Sequence, residues 1–171
     1  MFRYKVRVII KRRTASEVKM IVEKRLIEMQ VDLPELSAPK ALYVPVVQTG
    51  NLCYVSGQIP MLDGKLLYAG KVGEELTLEQ GQEAAKVCAI NVLASLRAHL
   101  GDLDRIERIV KLQAFVNSKT GFMQQHIVVN AASQLLYDAL GEKGHHARTA
   151  VGTNQLPMDA AVEIEAIVEV R

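Results

Sequence analysis

Tryptophan is absent from this 171-residue chain, and three phenylalanines and five tyrosines are its whole aromatic content. A core built from it must be aliphatic, and the 49% apolar fraction is ample for one. That composition excludes a disordered chain and fits an α/β or α+β protein. No apolar run approaches the roughly 20 residues that span a bilayer, so no membrane association is expected. Nothing resembles a secretory signal peptide, and an intracellular, cytoplasmic protein is expected. The two cysteines, Cys53 and Cys88, form no CxxC pair and stand away from any histidine at zinc spacing. Buried thiols are expected, without a disulfide framework, a metal or a cofactor. The GxSxG elbow, the Walker loop, GxGxxG and HExxH are all missing, which removes the commonest hydrolase, nucleotide and zinc-protease readings.

Charge is the next scarcity. The net charge is +2, yet Arg3, Lys5, Arg7, Lys11, Arg12 and Arg13 precede any acid. Without these six cations the remainder carries −4, so the body has no basic groove for phosphates and no nucleic-acid partner is expected. Residues 2–10 alternate apolar and basic, as a half-buried strand would. The same acid-free, arginine-rich composition also suits a mitochondrial presequence, or an added segment ahead of a true start at Met20. Thr14-x-x-Glu17 is a capping-box pattern for a helix over about 15–29 that Pro34 ends. Residues 1–37 are therefore expected to be an N-terminal extension, and residues 38–171 the domain.

Within 38–171, LYVPVVQ and LCYVSGQ predict strands around a turn at Thr49–Asn51, and Asp63-Gly64 marks a tight turn before a short third strand, LLYAGKVG. Thr77-x-x-Gln80 caps a long helix that Gly101 closes. IVKLQAFV predicts a strand, Phe122 to Leu140 a second helix, and ARTAVGT and AVEIEAIVEV two last strands. Two helices cover one face of such a sheet only. On the last strand Val162, Ile164, Ala166, Val168 and Val170 point one way, and Glu163, Glu165, Ile167 and Glu169 the other. A semi-polar second face predicts self-association.

The polar residues able to do chemistry are scattered. Arg148 stands at a strand mouth with no acid among its sequence neighbours, as a carboxylate or phosphate clamp would, or a surface cation. Glu163 suits a proton shuttle if burial raises its pKa, or is one of a solvated glutamate row. Ser56 and Gly57 end a strand where glycine admits close approach. Tyr43 and Asn130 complete the set, and both have ordinary structural readings. His145 and His146 are adjacent, point in different directions, and read as solvated imidazoles.

TGNLCYVSGQIP, GKVG, IVKLQAFVN and HARTAVGTNQLPMDAAVEIEAI, in this order and spacing, resemble the YjgF/UK114 group, the reactive-intermediate (enamine/imine) deaminase or Rid family, also called endoribonuclease L-PSP. The resemblance runs from about Ala38 to Val170. It implies an α+β, chorismate-mutase-like fold with two helices on one face of the sheet, assembled as a homotrimeric barrel with clefts between subunits. It further implies hydrolysis of small 2-imino and 2-enamino acids to 2-oxo acids and ammonia. On this likeness Arg148 grips the substrate carboxylate, Glu163 handles water and protons, Tyr43 and Ser56 join the catalytic pocket, and Asn130 and Gly57 line the binding side. Ala150 stands where many members have cysteine, and His146 where proline is commoner. A non-catalytic carboxylate-binding or chaperone-like module is the alternative, and a ribonuclease or translation inhibitor ranks last.

Overall fold

The computed structural model describes residues 21–35 and 42–171. Its order is α1 (Ile21–Glu28), β1 (Val46–Thr49), β2 (Leu52–Gln58), β3 (Met61–Leu62), β4 (Lys65–Leu66), α2 (Leu78–Leu100), β5 (Ile106–Asn117), α3 (Gln125–Leu140), β6 (Ala147–Thr153) and β7 (Val162–Val170). The expected α+β architecture is what forms. Five strands make one sheet in the order β1-β2-β7-β5-β6, and β5 and β6 pair in parallel while the other neighbours are antiparallel.

Local chemistry accounts for the element ends. The Thr77 hydroxyl accepts from the Gln80 amide, and the Gln80 side chain accepts from the Thr77 amide, so the capping box is complete. Gly101 ends α2 in the left-handed region, at φ 77°. Asp63 and Gly64 both have positive φ, as a two-residue hairpin turn requires, and join β3 to β4. Two expectations are corrected. The first sheet strand begins at Val46 instead of Leu42, because Pro45 lacks the N–H a ladder needs. The third strand, expected over LLYAGKVG, is only Lys65–Leu66. Gly70 and Gly73, at φ 113° and 88°, break the extended backbone after it.

β7 lies between β2 and β5, and its alternation organises the molecule. Val162, Ile164, Ala166, Val168 and Val170 are buried, and the residues between them are half-buried. The buried row packs with Leu112, Ala114 and Val116 of β5 beneath α2 and α3. Cys53 and Cys88 lie in this core as free thiols, as expected. The opposite face carries no helix among the described residues, and Val47, Tyr54 and Val151 are exposed there.

Besides the two helices expected on the sheet, α1 packs beside α3. The Asp104 carboxylate accepts from the Ile21 and Val22 amides at 2.8 and 3.0 Å, which satisfies helix-start N–H groups and meets the positive end of the helix dipole. Val22, Leu26, Val31 and Leu33 join the same core as the sheet. Thr14 and Glu17, the expected capping pair, and the boundary expected at residue 37 lie outside the described residues. Leu26 is 2% exposed. Leu26→Ala is therefore expected to cost roughly 2–5 kcal/mol of unfolding free energy, read from urea denaturation. A loss under about 0.5 kcal/mol, as for a surface position, would mean that α1 adds little to the core.

Candidate functional site

β6 is an edge strand, and Arg148 pairs in register with the buried Leu112. Side chains in register share a face, so Arg148 projects to the helical side, over α3. There Nη1 donates to Asn130 Oδ1 and to Ser133 Oγ, both at 3.0 Å, and Nη2 donates to the His126 carbonyl at 3.2 Å. Every one of these acceptors is neutral. No carboxylate pairs with Arg148 among the described residues. A guanidinium has five N–H donors, so Nε–H and one Nη2–H are left over, enough to grip a carboxylate. A cavity of about 560 Å³ opens beside it, lined also by Gln134, Tyr137, His145 and His146.

Glu163 pairs with Phe115 in register, and so it faces the other, helix-free side. Its row of glutamates is not uniform. Glu169 accepts from Arg108 at 3.1 Å and from Asn51 at 3.0 Å, and Glu165 accepts from Gln113 at 2.9 Å. Glu163 has no hydrogen bond or ion pair among the described residues and instead backs into β2. A Cβ on Gly57 would lie 1.9 Å from Glu163 Oε1, so the missing side chain is what admits the carboxyl group. Burial, and then the negative charge of Glu165, raises the Glu163 pKa above the usual glutamate range.

Ser56 precedes Gly57 in sequence, but its hydroxyl is already engaged, donating to the Val44 carbonyl at 2.8 Å, while its amide donates to the Pro45 carbonyl. Ser56 thus anchors the segment that carries Tyr43, which is exposed and makes no hydrogen bond among the described residues. Alongside lies a shallow dish of about 260 Å³ lined by Val47, Tyr54, Ser56, Gln113, Glu165 and Ile167. The six expected site residues therefore fall into two groups. Arg148 and Asn130 meet on the helical side; Ser56, Gly57 and Glu163 gather on the open side, with Tyr43 just upstream. One chain does not bring the two groups together.

Sequence reasoning missed Ser133 and misjudged His146, which was expected to be solvated. His146 Nε2 lies 3.0 Å from Ser133 Oγ, and Nδ1 lies 2.6 Å from the Gly144 carbonyl. A readable signal existed: His126, Asn130, Ser133 and Tyr137 recur at helical spacing and make a polar stripe on α3. His145 diverges as expected. Its ring packs on Tyr137, with centroids 4.8 Å apart, and it pairs with Glu142 at 3.6 Å.

A family model described as "YjgF/chorismate mutase-like, putative endoribonuclease" matches residues 23–170. The chain belongs to this family. The match begins inside α1, upstream of Ala38, from which the sequence resemblance runs. Protein TCP17 of Trypanosoma cruzi is 46% identical over 149 residues, covering 86% of this chain and 93% of that protein. The crystal structure of Atu1372 from Agrobacterium tumefaciens, a protein of unknown function, is 49% identical with a TM-score of 0.83; the likeness covers 88% of this chain and 93% of that one. A Salmonella typhimurium protein named 2-iminobutanoate/2-iminopropanoate deaminase is 34% identical, over 77% of this chain and 91% of that protein.

The raised pKa of Glu163 has a signed consequence. The folded state favours the protonated carboxyl, so its contribution is full below the unfolded value, near 4.5, and is lost as pH rises through the folded value. Glu163→Gln escapes that loss. Its melting temperature is expected to match the wild type near about pH 4 and to exceed it at neutral pH. Parallel melting curves across that range would show that the carboxyl is not desolvated.

Proposed function

We propose that this chain is a hydrolase of small 2-imino and 2-enamino acids, releasing a 2-oxo acid and ammonia from clefts between the copies of a homotrimer. The observation that carries the reading is Arg148, a half-buried guanidinium held by three neutral acceptors with two donors to spare. An imino acid presents a carboxylate next to the reacting C=N carbon, so holding the acid group also orients that carbon.

Glu163 has the complementary property. Its raised pKa keeps a fraction of the carboxyl protonated closer to neutrality, which suits it to protonate an enamine carbon and give the imine. As carboxylate it takes a proton from the water that adds to the imine carbon. Return of a proton to nitrogen lets ammonia leave and the carbonyl form. Imines hydrolyse readily, so a sparse site is sufficient. Because clamp and acid sit on opposite faces of one sheet, a cleft that uses both needs a second copy. The exposed Val47, Tyr54 and Val151 favour such an assembly. The name of the Salmonella relative supports the reaction class.

Separation of Arg148 from Glu163 within a chain also favours a second reading, a binder of small carboxylates without turnover. One experiment divides the two. When a serine dehydratase generates 2-aminoacrylate, the wild-type protein is expected to speed ammonia release, and Arg148→Ala to abolish that effect. Glu163→Gln is expected to retain 2-oxobutyrate binding while turnover falls by about 10²–10⁴, the usual weight of general acid–base catalysis. Arg148-dependent binding with no acceleration by the wild type would establish the binder instead. Sedimentation should give the mass of three chains; a monomer that turns over would sink the shared cleft.

A further inference from the structure

The hydrogen bonds around Arg148 run in one direction. The Gly144 carbonyl can only accept, so His146 Nδ1, 2.6 Å away, carries the hydrogen. Nε2 of the neutral ring is then an acceptor, and the Ser133 hydroxyl donates to it at 3.0 Å. Having given its hydrogen to the imidazole, Ser133 Oγ can only accept from Arg148 Nη1, at 3.0 Å. Donation therefore passes from Arg148 to Ser133, to His146, to the backbone of Gly144. The last acceptor is itself fixed. A Cβ on Gly144 would lie 2.4 Å from the Leu136 carbonyl, so this backbone rests directly on the helix that carries Ser133.

We propose that Ser133 and His146 are positioning residues for Arg148: the neutral imidazole turns the serine oxygen toward Nη1 and so aims the remaining Nε–H and Nη2–H donors outward. The orientation follows from these distances around a neutral His146; its use for a ligand rests on the carboxylate role given to Arg148 above. Protonation of His146 undoes the arrangement. Nε2 becomes a donor, the Ser133 hydrogen loses its acceptor, and an imidazolium faces a guanidinium. Burial first, and then the charges of Arg148 and His145, hold the His146 pKa below the usual histidine range, against the opposing effect of the Gly144 carbonyl. Tyr137 of α3 lines the same cavity, and Glu142 of the turn before β6 is paired with His145. Asp138 of α3 accepts from Gln134.

The test is nitrogen-15 NMR of the full chain together with calorimetric titration of 2-oxobutyrate, for wild type, Ser133→Ala, His146→Ala and His146→Gln. The wild-type spectrum should show the Nδ1–H tautomer of His146 at neutral pH and slow rotation of the Arg148 terminal nitrogens. Ser133→Ala and His146→Ala should speed that rotation and weaken binding about tenfold, the weight of one hydrogen bond to a charged group. His146→Gln keeps an amide oxygen for Ser133, and should restore most of the affinity while removing its pH dependence. Wild-type affinity should fall as pH drops through the His146 pKa. Added positive charge alone would strengthen anion binding, so the sign discriminates. An Nε2–H tautomer, Arg148 rotation unchanged in both alanine variants, or tighter binding in acid would each overturn the positioning role. Arg148 signals that respond as expected in a protein that binds no 2-oxobutyrate would leave that role standing and remove the carboxylate reading instead.

Discussion

The alternation along β7 is the constraint on which the remaining structure depends. Nine residues, Val162–Val170, give five inward aliphatic side chains that hold α2, and four outward ones, three of them glutamates. Because β7 pairs with both β2 and β5, its register also sets what each glutamate meets. A slip of one residue would carry the carboxylates into the core, where unpaired charges are very costly. Core and chemistry are thus selected by the same period of two. Gly57 is the local expression of this coupling, since the bulge between Val55 and Gln58 brings a residue without a side chain against Glu163.

Two polar centres result, and they differ in kind. Around Arg148 nearly everything is already satisfied: neutral oxygens take three donors, the serine and histidine behind them are fully used, and α3 forms the wall. Around Glu163 the reverse holds, for the carboxyl is confined without a partner among the described residues and pays in its protonation equilibrium. A cation fixed by neutral acceptors, with two donors to spare, suits recognition, where geometry must not change. An unsatisfied acid suits proton transfer, where the charge must.

Much of this was legible in the sequence, for identifiable reasons. Both halves of the Thr77–Gln80 box, the Gly101 stop and the Asp63-Gly64 turn depend on neighbours within a few residues, and they form as read. The spans of β2 and β6 and the two faces of β7 follow from periodicity alone. What failed to show depends on contacts between distant residues. Nothing in VEIEAIVEV distinguishes Glu163 from Glu165 and Glu169. The difference lies in Gly57, Gln113 and Arg108, supplied by other strands. His146 likewise looks solvated until Ser133, thirteen residues earlier, is set opposite it. The third strand failed for a different reason: apolar residues at strand spacing could not outweigh two glycines held at positive φ.

Ala150 bears on what the chemistry requires. The position where the resemblance leads one to expect a thiol lies two residues along β6 from Arg148, on the same face, partly buried against the core. It has no polar atom to offer a substrate, and the thiols this chain does carry, Cys53 and Cys88, are buried with pKa values raised chiefly by desolvation, which makes them poor nucleophiles. Covalent catalysis through sulfur therefore has no natural agent among the described residues. The reactive groups left are a fixed cation, a desolvated carboxyl and water. That set is adequate for adding water to a carbon already activated as an imine.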